Sequence, residues 1–188
     1  MIGILMRSIG SPVSADSIRN SLGSSGQRVN HETVDSYLVY LEESLAFYRA
    51  KRYDVKAKEG LVLNDKFYPA DPELRTASLG LRDADTGHVM EGVVYLELRH
   101  KGYDVRLGKV GDREIDFVAV RGTETMYVQV CHSVADPDVE RWEVRPFADV
   151  RDNYRKVIVV MVPSLNRDRG GIEGMTLREF LHGGDGRA

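Results

Sequence analysis

The chain carries one cysteine, Cys131, in 188 residues, so no disulfide can form within it. That scarcity points to a reducing, intracellular compartment. Long apolar runs are missing too. The longest, "RKVIVVMV", is strand-length and far short of the ~20 residues a membrane span needs. The N-terminal "MIGILMRSIGSPVS" meets a Gly-Ser-Pro break after about nine residues and lacks the charged lead of a secretory signal. Neither charge sign dominates: the net charge is −3. This argues against a strongly basic nucleic-acid protein but leaves room for a local basic patch. No internal repeat is visible, and no G-x-x-x-x-G-K-[ST] run is present to cradle nucleotide phosphates. Against these absences, 42% of residues are hydrophobic, enough for a packed core. The length suits one or two domains of ~100–200 residues.

Residues 12–45 carry two helical patterns. "SPVSADSIRNSLG" offers Ser14 as N-cap, with Ile18 and Leu22 four apart and Gly23 as a stop. "NHETVDSYLVYLEESL" offers Asn30 as N-cap, then Val34, Tyr37, Leu38, Leu41 and Leu45 on one face. Two helices joined by "SSGQRV" fit a helix-turn-helix whose second helix would read a groove, with His31 at its start. Two β-prone runs then flank "KAKEG", and a hairpin after the second helix is how a winged helix continues. Residues 1–66 hold nine basic and eight acidic residues, and 67–188 hold seventeen and twenty-one. The expected organisation is a winged-helix-like module over 1–66, a connector over 67–87 containing Pro69, Pro72 and Gly80, an α/β domain over 88–182, and a frayed tail over 183–188.

In the α/β part, "GHVMEGVVYLELRHKGYDV" predicts a helix with Val89, Val93, Leu96 and Val94 toward a core and Gly102 as its end. "YDVRLGKV" and the hairpin "GDREIDFVAVRGTETMYVQVC" predict three strands. "ADPDVERWEVRPFADVRDNY" predicts a helix with Trp142 as a core or interface anchor. "RKVIVVMV" predicts a buried strand and "IEGMTLREFLHG" a closing helix. The order α-β-β-β-α-β-α predicts a mixed sheet flanked by helices.

Period-two alternation puts Ile115, Phe117 and Ala119 on one side of their strand and Asp116 on the other. The same rule lets Asp116, Gln129 and Cys131 share a face, and Glu91 can reach it from the preceding helix. Mg²⁺ or Mn²⁺ takes hard oxygen ligands from one or two carboxylates plus water, which Glu91 and Asp116 can supply. A lysine two residues beyond position 129 would orient water or offset charge at a phosphate. Cys131 cannot, and Gln129 brings a carbonyl oxygen without charge. Cys131 otherwise reads as a small buried apolar residue. Separately, "YRAKRYDVKAK" interleaves Arg49, Lys51, Arg52, Lys56 and Lys58 with Tyr48 and Tyr53, a pattern that suits phosphates and bases.

The run "GHVMEGVVYLELRHKGYDVRLGKVGDREIDFVAVRGTETMYVQVC" resembles the C-terminal nuclease-like domain of archaeal-type AAA+ ATPases, related to the PD-(D/E)XK restriction-endonuclease-like superfamily. "SIGSPVSADSIRNSL…VNHETVDSYLVYLEESLAFYRAKRYDVKAK…LNDKFYPADPELR" resembles the winged-helix region before it. The resemblance covers nearly the whole chain and implies a prokaryotic, cytoplasmic protein. It matches Glu91 to the superfamily's helix glutamate, Asp116 to its metal-binding aspartate, and Gln129 and Cys131 to the Glu-x-Lys positions. The expected function is that of a DNA- or protein-binding C-terminal portion of an AAA+ ATPase-like protein with a degenerate nuclease-like site. One alternative is an active Mg²⁺-dependent nuclease in which a nearby cation, Lys109 or Arg113, replaces the missing lysine. Another is a pure interaction module, a regulatory partner of a separate ATPase.

Overall fold

In the computed structural model, residues 1–80, 86–162 and 170–183 are described. They form fourteen elements: α1 (Ile2–Arg7), α2 (Ala15–Ser24), α3 (His31–Glu43), β1 (Phe47–Asp54), β2 (Glu59–Pro69), α4 (Pro72–Leu79), α5 (Thr86–His100), β3 (Asp104–Val110), β4 (Arg113–Arg121), β5 (Glu124–Cys131), α6 (Pro137–Ala148), β6 (Arg155–Val160), β7 (Ile172–Thr176) and α7 (Leu177–Leu181). Seven strands make one mixed sheet in the order β2-β1-β3-β4-β5-β6-β7. Pairing is antiparallel at β1–β2, β3–β4 and β4–β5, and parallel at β1–β3, β5–β6 and β6–β7. Among the described residues, no helix is long and apolar enough to cross a membrane.

The N-terminal helices form as their caps dictate. The Ser14 side chain accepts from Ser17 N–H and the Asn30 side chain from Thr33 N–H, each satisfying an orphan donor of the first turn. Ile18, Leu22, Val34 and Leu38 are buried with Phe47, Phe67, Tyr68, Tyr95, Phe117, Val128 and Phe180 in one continuous core. The opposite side of the sheet buries Ile115, Val118, Tyr127, Cys131, Ile158 and Val160 with Val134, Phe147 and Val150, from α6 and its flanking segments. The expected boundary at 66/67 falls inside β2, and the β1–β2 hairpin is the edge of the same sheet that holds β3 to β7.

Three further expectations change. "IEGMT" is a strand, β7, in parallel register with β6, and only Leu177–Leu181 is helical. The α5 stripe is rotated from the expected one: Met90, Glu91, Gly92, Val94, Tyr95 and Leu98 are buried, while Val89, Val93 and Leu96 are half-buried. Glu91 itself lies on the buried stripe, so a hydrophobicity reading drifts away from the true face. Trp142 is 70% exposed and is no core anchor. Part of the expected connector (81–85) and most of the expected tail (184–188) lie outside the described residues.

Candidate functional site

The site is organised by a fault in the sheet. On β3, Arg106 and Gly108 are two residues apart, but their partners on β4, Val118 and Ile115, are three apart. β4 therefore carries one extra residue at Asp116–Phe117, a β-bulge that re-aims side chains. Ile115 joins the α6-side core, whereas Phe117 and Ala119 join the α5-side core. This overturns the strict alternation of Ile115, Phe117 and Ala119.

The regular β4–β5 ladder stops at Phe117–Val128. Beyond it, side chains take over the backbone groups. Asp116 N–H donates to Gln129 Oε1 at 3.2 Å, and Val130 N–H donates to Asp116 Oδ2 at 2.8 Å. Each bond satisfies a donor that the bulge would otherwise strand. Gln129 continues to α6, its Nε2 donating to Glu143 Oε2 at 2.9 Å. Cys131 is buried in the α6-side core beside Val134 and Phe147. Gln129 and Cys131 therefore do not join Glu91 and Asp116 in one cluster, which corrects the shared face read from alternation.

Glu91 meets a different cation. Lys66 Nζ donates to Glu91 Oε1 at 2.7 Å, and Tyr68 Oη donates to the same oxygen at 2.6 Å. Both come from β2, where Lys66 lies opposite Ala50 of β1. His88, one turn earlier on α5, holds Nδ1 3.9 Å from Glu91 Oε2. Lys66 is 4% and Glu91 7% exposed. Below them Tyr68 stacks on Tyr95 with ring centroids 4.5 Å apart, and Phe117 meets Tyr68 edge-on at 5.9 Å. Gly10 packs against His88: at φ +74, any Cβ there would lie 2.2 Å from His88 Nδ1.

The electrostatics follow from burial and contact. Burial pushes Glu91 up, but His88, Lys66 and Tyr68 outweigh it and hold the carboxyl below the ordinary range. Burial pulls Lys66 down, yet Glu91 and Asp116 together hold its ammonium above the usual lysine value. Asp116 is pushed up to about 7, first by burial and then by the Glu91 charge, with Lys66 and the Val130 N–H pulling the other way. Asp116 keeps some accessible surface, with its carboxylate anchored against β5 by Val130 N–H. One carboxylate stays ionised against the ammonium while its neighbour resists ionising, as expected when two acids share one cation.

This arrangement does not fit a divalent ion. Glu91 Oε1 already accepts two hydrogen bonds, the Gln129 carbonyl oxygen is taken by Asp116 N–H, and the Lys66 ammonium sits on Glu91. Among the described residues, no three His, Cys, Asp or Glu side chains are placed to hold a metal. Nor do the cations expected as substitutes reach it. Arg113 Nη1 donates to Asp149 Oδ2 at 2.7 Å, and Lys109 lies in β3 with Arg52, Asn64, Arg113 and Glu114 around it. Lys66 escaped the sequence reading because the contact spans 25 residues and crosses the expected boundary. Its only sequence signal is a lysine inside the β-prone, aromatic "KFY".

The basic segment is less available than its sequence suggests. Arg49 Nε donates to Asp65 Oδ2 at 2.6 Å. Arg52 is buried, donating to Asn64 O and pairing with Glu114. Lys51, Lys56 and Lys58 remain at the surface. His31 pairs with Asp35 at 2.9 Å on α3.

Residues 1–85 match the family described as Domain of unknown function (DUF8612). The chain is 33% identical over 181 residues to an uncharacterized protein of Haemophilus influenzae, covering 96% of this chain and 44% of that protein. It thus spans less than half the length of this curated relative. No solved structure matches the chain.

Proposed function

We propose that the chain is the nucleic-acid-binding C-terminal portion of an AAA+ ATPase-like protein, winged-helix-like at its start and restriction-endonuclease-like in its sheet, and that its nuclease-like corner does not cut. The observation that carries this reading is the Lys66–Glu91 contact beside Asp116. A carboxylate on the helix and another on a bulged central strand are the residues such a corner needs. The ammonium meets their charge where a divalent ion would otherwise have to. A tethered cation is always present, so an ion from solution would have to displace it and leave it buried without a partner. Buried, perturbed charges of this kind mark functional sites more often than ordinary surface, and here the mark fits a site kept for structure and binding.

The test pairs two assays on the intact chain. A fluorescein-labelled duplex should bind at 50 mM salt and lose affinity steeply by 200 mM, as phosphate contacts require. Supercoiled plasmid should stay intact with Mg²⁺ or Mn²⁺. Affinity indifferent to salt would overturn the binding reading; nicking that Asp116→Ala abolishes would overturn the inert one.

One observation favours a second reading, docking to a basic protein such as a separate ATPase. The outer face of α3 exposes Tyr37, Val39 and Tyr40, with Leu45 just beyond, among Glu32, Asp35 and Glu43. No lysine or arginine lies between Arg28 and Arg49. That surface repels phosphates, so α3 does not read a groove in either reading.

A further inference from the structure

The structure assigns a nucleotide-phosphate site to a cleft on the other side of the molecule, between the β1–β2 turn and the segment joining α6 to β6. The cleft has a volume of about 390 Å³ and is lined by Val55, Lys56, Lys58, Asp149, Val150, Arg151 and Asp152. Its size lies at the small end of ligand pockets, which run from ~300 Å³. Val55 and Val150 are buried in the α6-side core and give an apolar floor. Lys56, Lys58 and Arg151 are exposed at the rim.

The charge balance is decided by what the two acids do. Asp149 Oδ2 accepts from Arg113 Nη1 at 2.7 Å. Asp152 Oδ2 accepts from Tyr127 Oη at 2.7 Å, and its Oδ1 from Tyr154 N–H at 3.2 Å. Asp149 is neutralised by Arg113, whereas Asp152 is turned onto neutral donors and keeps its charge. Among the described residues, Lys56, Lys58 and Arg151 have no ion-pair or side-chain hydrogen-bond partner, so three cations against the one remaining carboxylate leave the mouth with a positive excess over an apolar floor. Such a mouth focuses a positive potential in a chain of net charge −3.

The backbone is committed to this shape. Lys58 has φ +58, a left-handed conformation that lysine rarely adopts. The turn is fixed from within, since Asp54 Oδ1 accepts from both Lys56 N–H and Ala57 N–H. Tyr154, 40% exposed, stands at the end of the α6–β6 segment, its ring 6.2 Å from that of Tyr127. Phosphate on the cations, with an apolar or planar body over Val55 and Val150, describes one nucleotide unit, either free or within a single strand.

This inference rests on the nucleic-acid reading above and replaces Arg49 and Arg52, which are held internally, with Arg151 as the partner of Lys56 and Lys58. The test measures anisotropy of a fluorescein-labelled twelve-nucleotide oligothymidylate on the intact chain. Lys56→Ala combined with Arg151→Ala should weaken binding about ten-fold at low salt and flatten the salt slope by about 1.4, at ~0.7 per lost contact on a single strand. Lys58→Gly should weaken it without lowering the melting temperature, because glycine is at ease at that φ. Arg28→Ala, an equal charge change by the α2–α3 connection, should leave it unchanged. Competition by AMP would identify a single free nucleotide as a sufficient ligand; its failure alongside oligonucleotide binding would identify a strand. Wild-type binding by all pocket variants would overturn the pocket while leaving the nucleic-acid reading standing. Equal binding of a polyglutamate of matched charge would overturn the nucleotide assignment. No oligonucleotide or duplex affinity even at low salt would overturn both.

Discussion

Glu91→Ala should cost about 4 kcal/mol of folding stability, because breaking a buried ion pair leaves the surviving charge uncompensated at roughly 3–5 kcal/mol. Lys66 would keep its ammonium in a nearly inaccessible place with its carboxylate gone, and Tyr68 Oη would lose its acceptor. Against a typical total of ~5–15 kcal/mol, such a loss brings the chain close to unfolding. A double substitution, Glu91→Gln with Lys66→Met, should recover most of it. The glutamine still accepts from Tyr68, and no ammonium is left buried without its carboxylate. Urea unfolding of wild type, Glu91→Gln, Lys66→Met and the double variant closes the cycle and reads the coupling directly. A Glu91→Ala loss below about 1 kcal/mol, the worth of an ordinary exposed pair, would mean that the contact does not hold this corner together.

Asp116→Asn should make the protein more stable at pH 8 and leave it unchanged near pH 4. The sign follows from a raised carboxyl. With the folded group at about 7 and its ordinary value at 3.8, the native state holds an extra proton between those limits. Its stabilising contribution is complete below 3.8 and disappears as pH rises through 7. Asparagine mimics the protonated form and can still accept from Val130 N–H, so the two proteins differ only where Asp116 is charged. At ~1.4 kcal/mol per pH unit the full span from 3.8 to about 7 would be about 4.5 kcal/mol. Residual exposure reduces this to on the order of 2 kcal/mol. The groups bearing on Asp116 are Glu91, Lys66 and Glu143; their interactions with its charge exist only in the wild type and belong to the difference being measured. Unfolding curves from pH 4 to 8 test it. A difference that does not vary with pH would refute the account of Asp116.

Several parts of this architecture are written plainly in the residues. Ser14 and Asn30 announce helix starts by chemistry that acts within three positions, and both caps form. The continuous apolar run of β6 announces a strand covered on both faces, and Val157 to Val160 are buried. Glu91 and Asp116 could be singled out because a carboxylate in an apolar stretch is conspicuous. The misses share a cause: each needs information from outside its own segment. Period two holds along β4 only until the bulge at Asp116–Phe117 adds a residue, and the sheet partner decides where that happens. Lys66 looks like a hairpin lysine until β2 is folded against α5. Arg49 and Arg52 look like a phosphate-binding stripe until Asp65 and Glu114 arrive beside them. The segment "IEGMT" is too short to declare itself a strand without β6 to pair with.

The central claim is that Lys66 does the work of a metal ion at the Glu91–Asp116 pair. The most direct measurement is a Mn²⁺ titration, by calorimetry and melting temperature, of wild type beside Lys66→Gln and Lys66→Gln/Asp116→Asn. Wild type should show neither heat nor a stability change. Lys66→Gln, with two buried carboxylates and no cation, should be destabilised and then rescued by Mn²⁺, gaining about 2.7 kcal/mol at 100 times its Kd. Adding Asp116→Asn should remove that rescue. Mn²⁺ binding by the wild-type chain that Asp116→Ala abolishes would contradict the account and make the pair a working metal site.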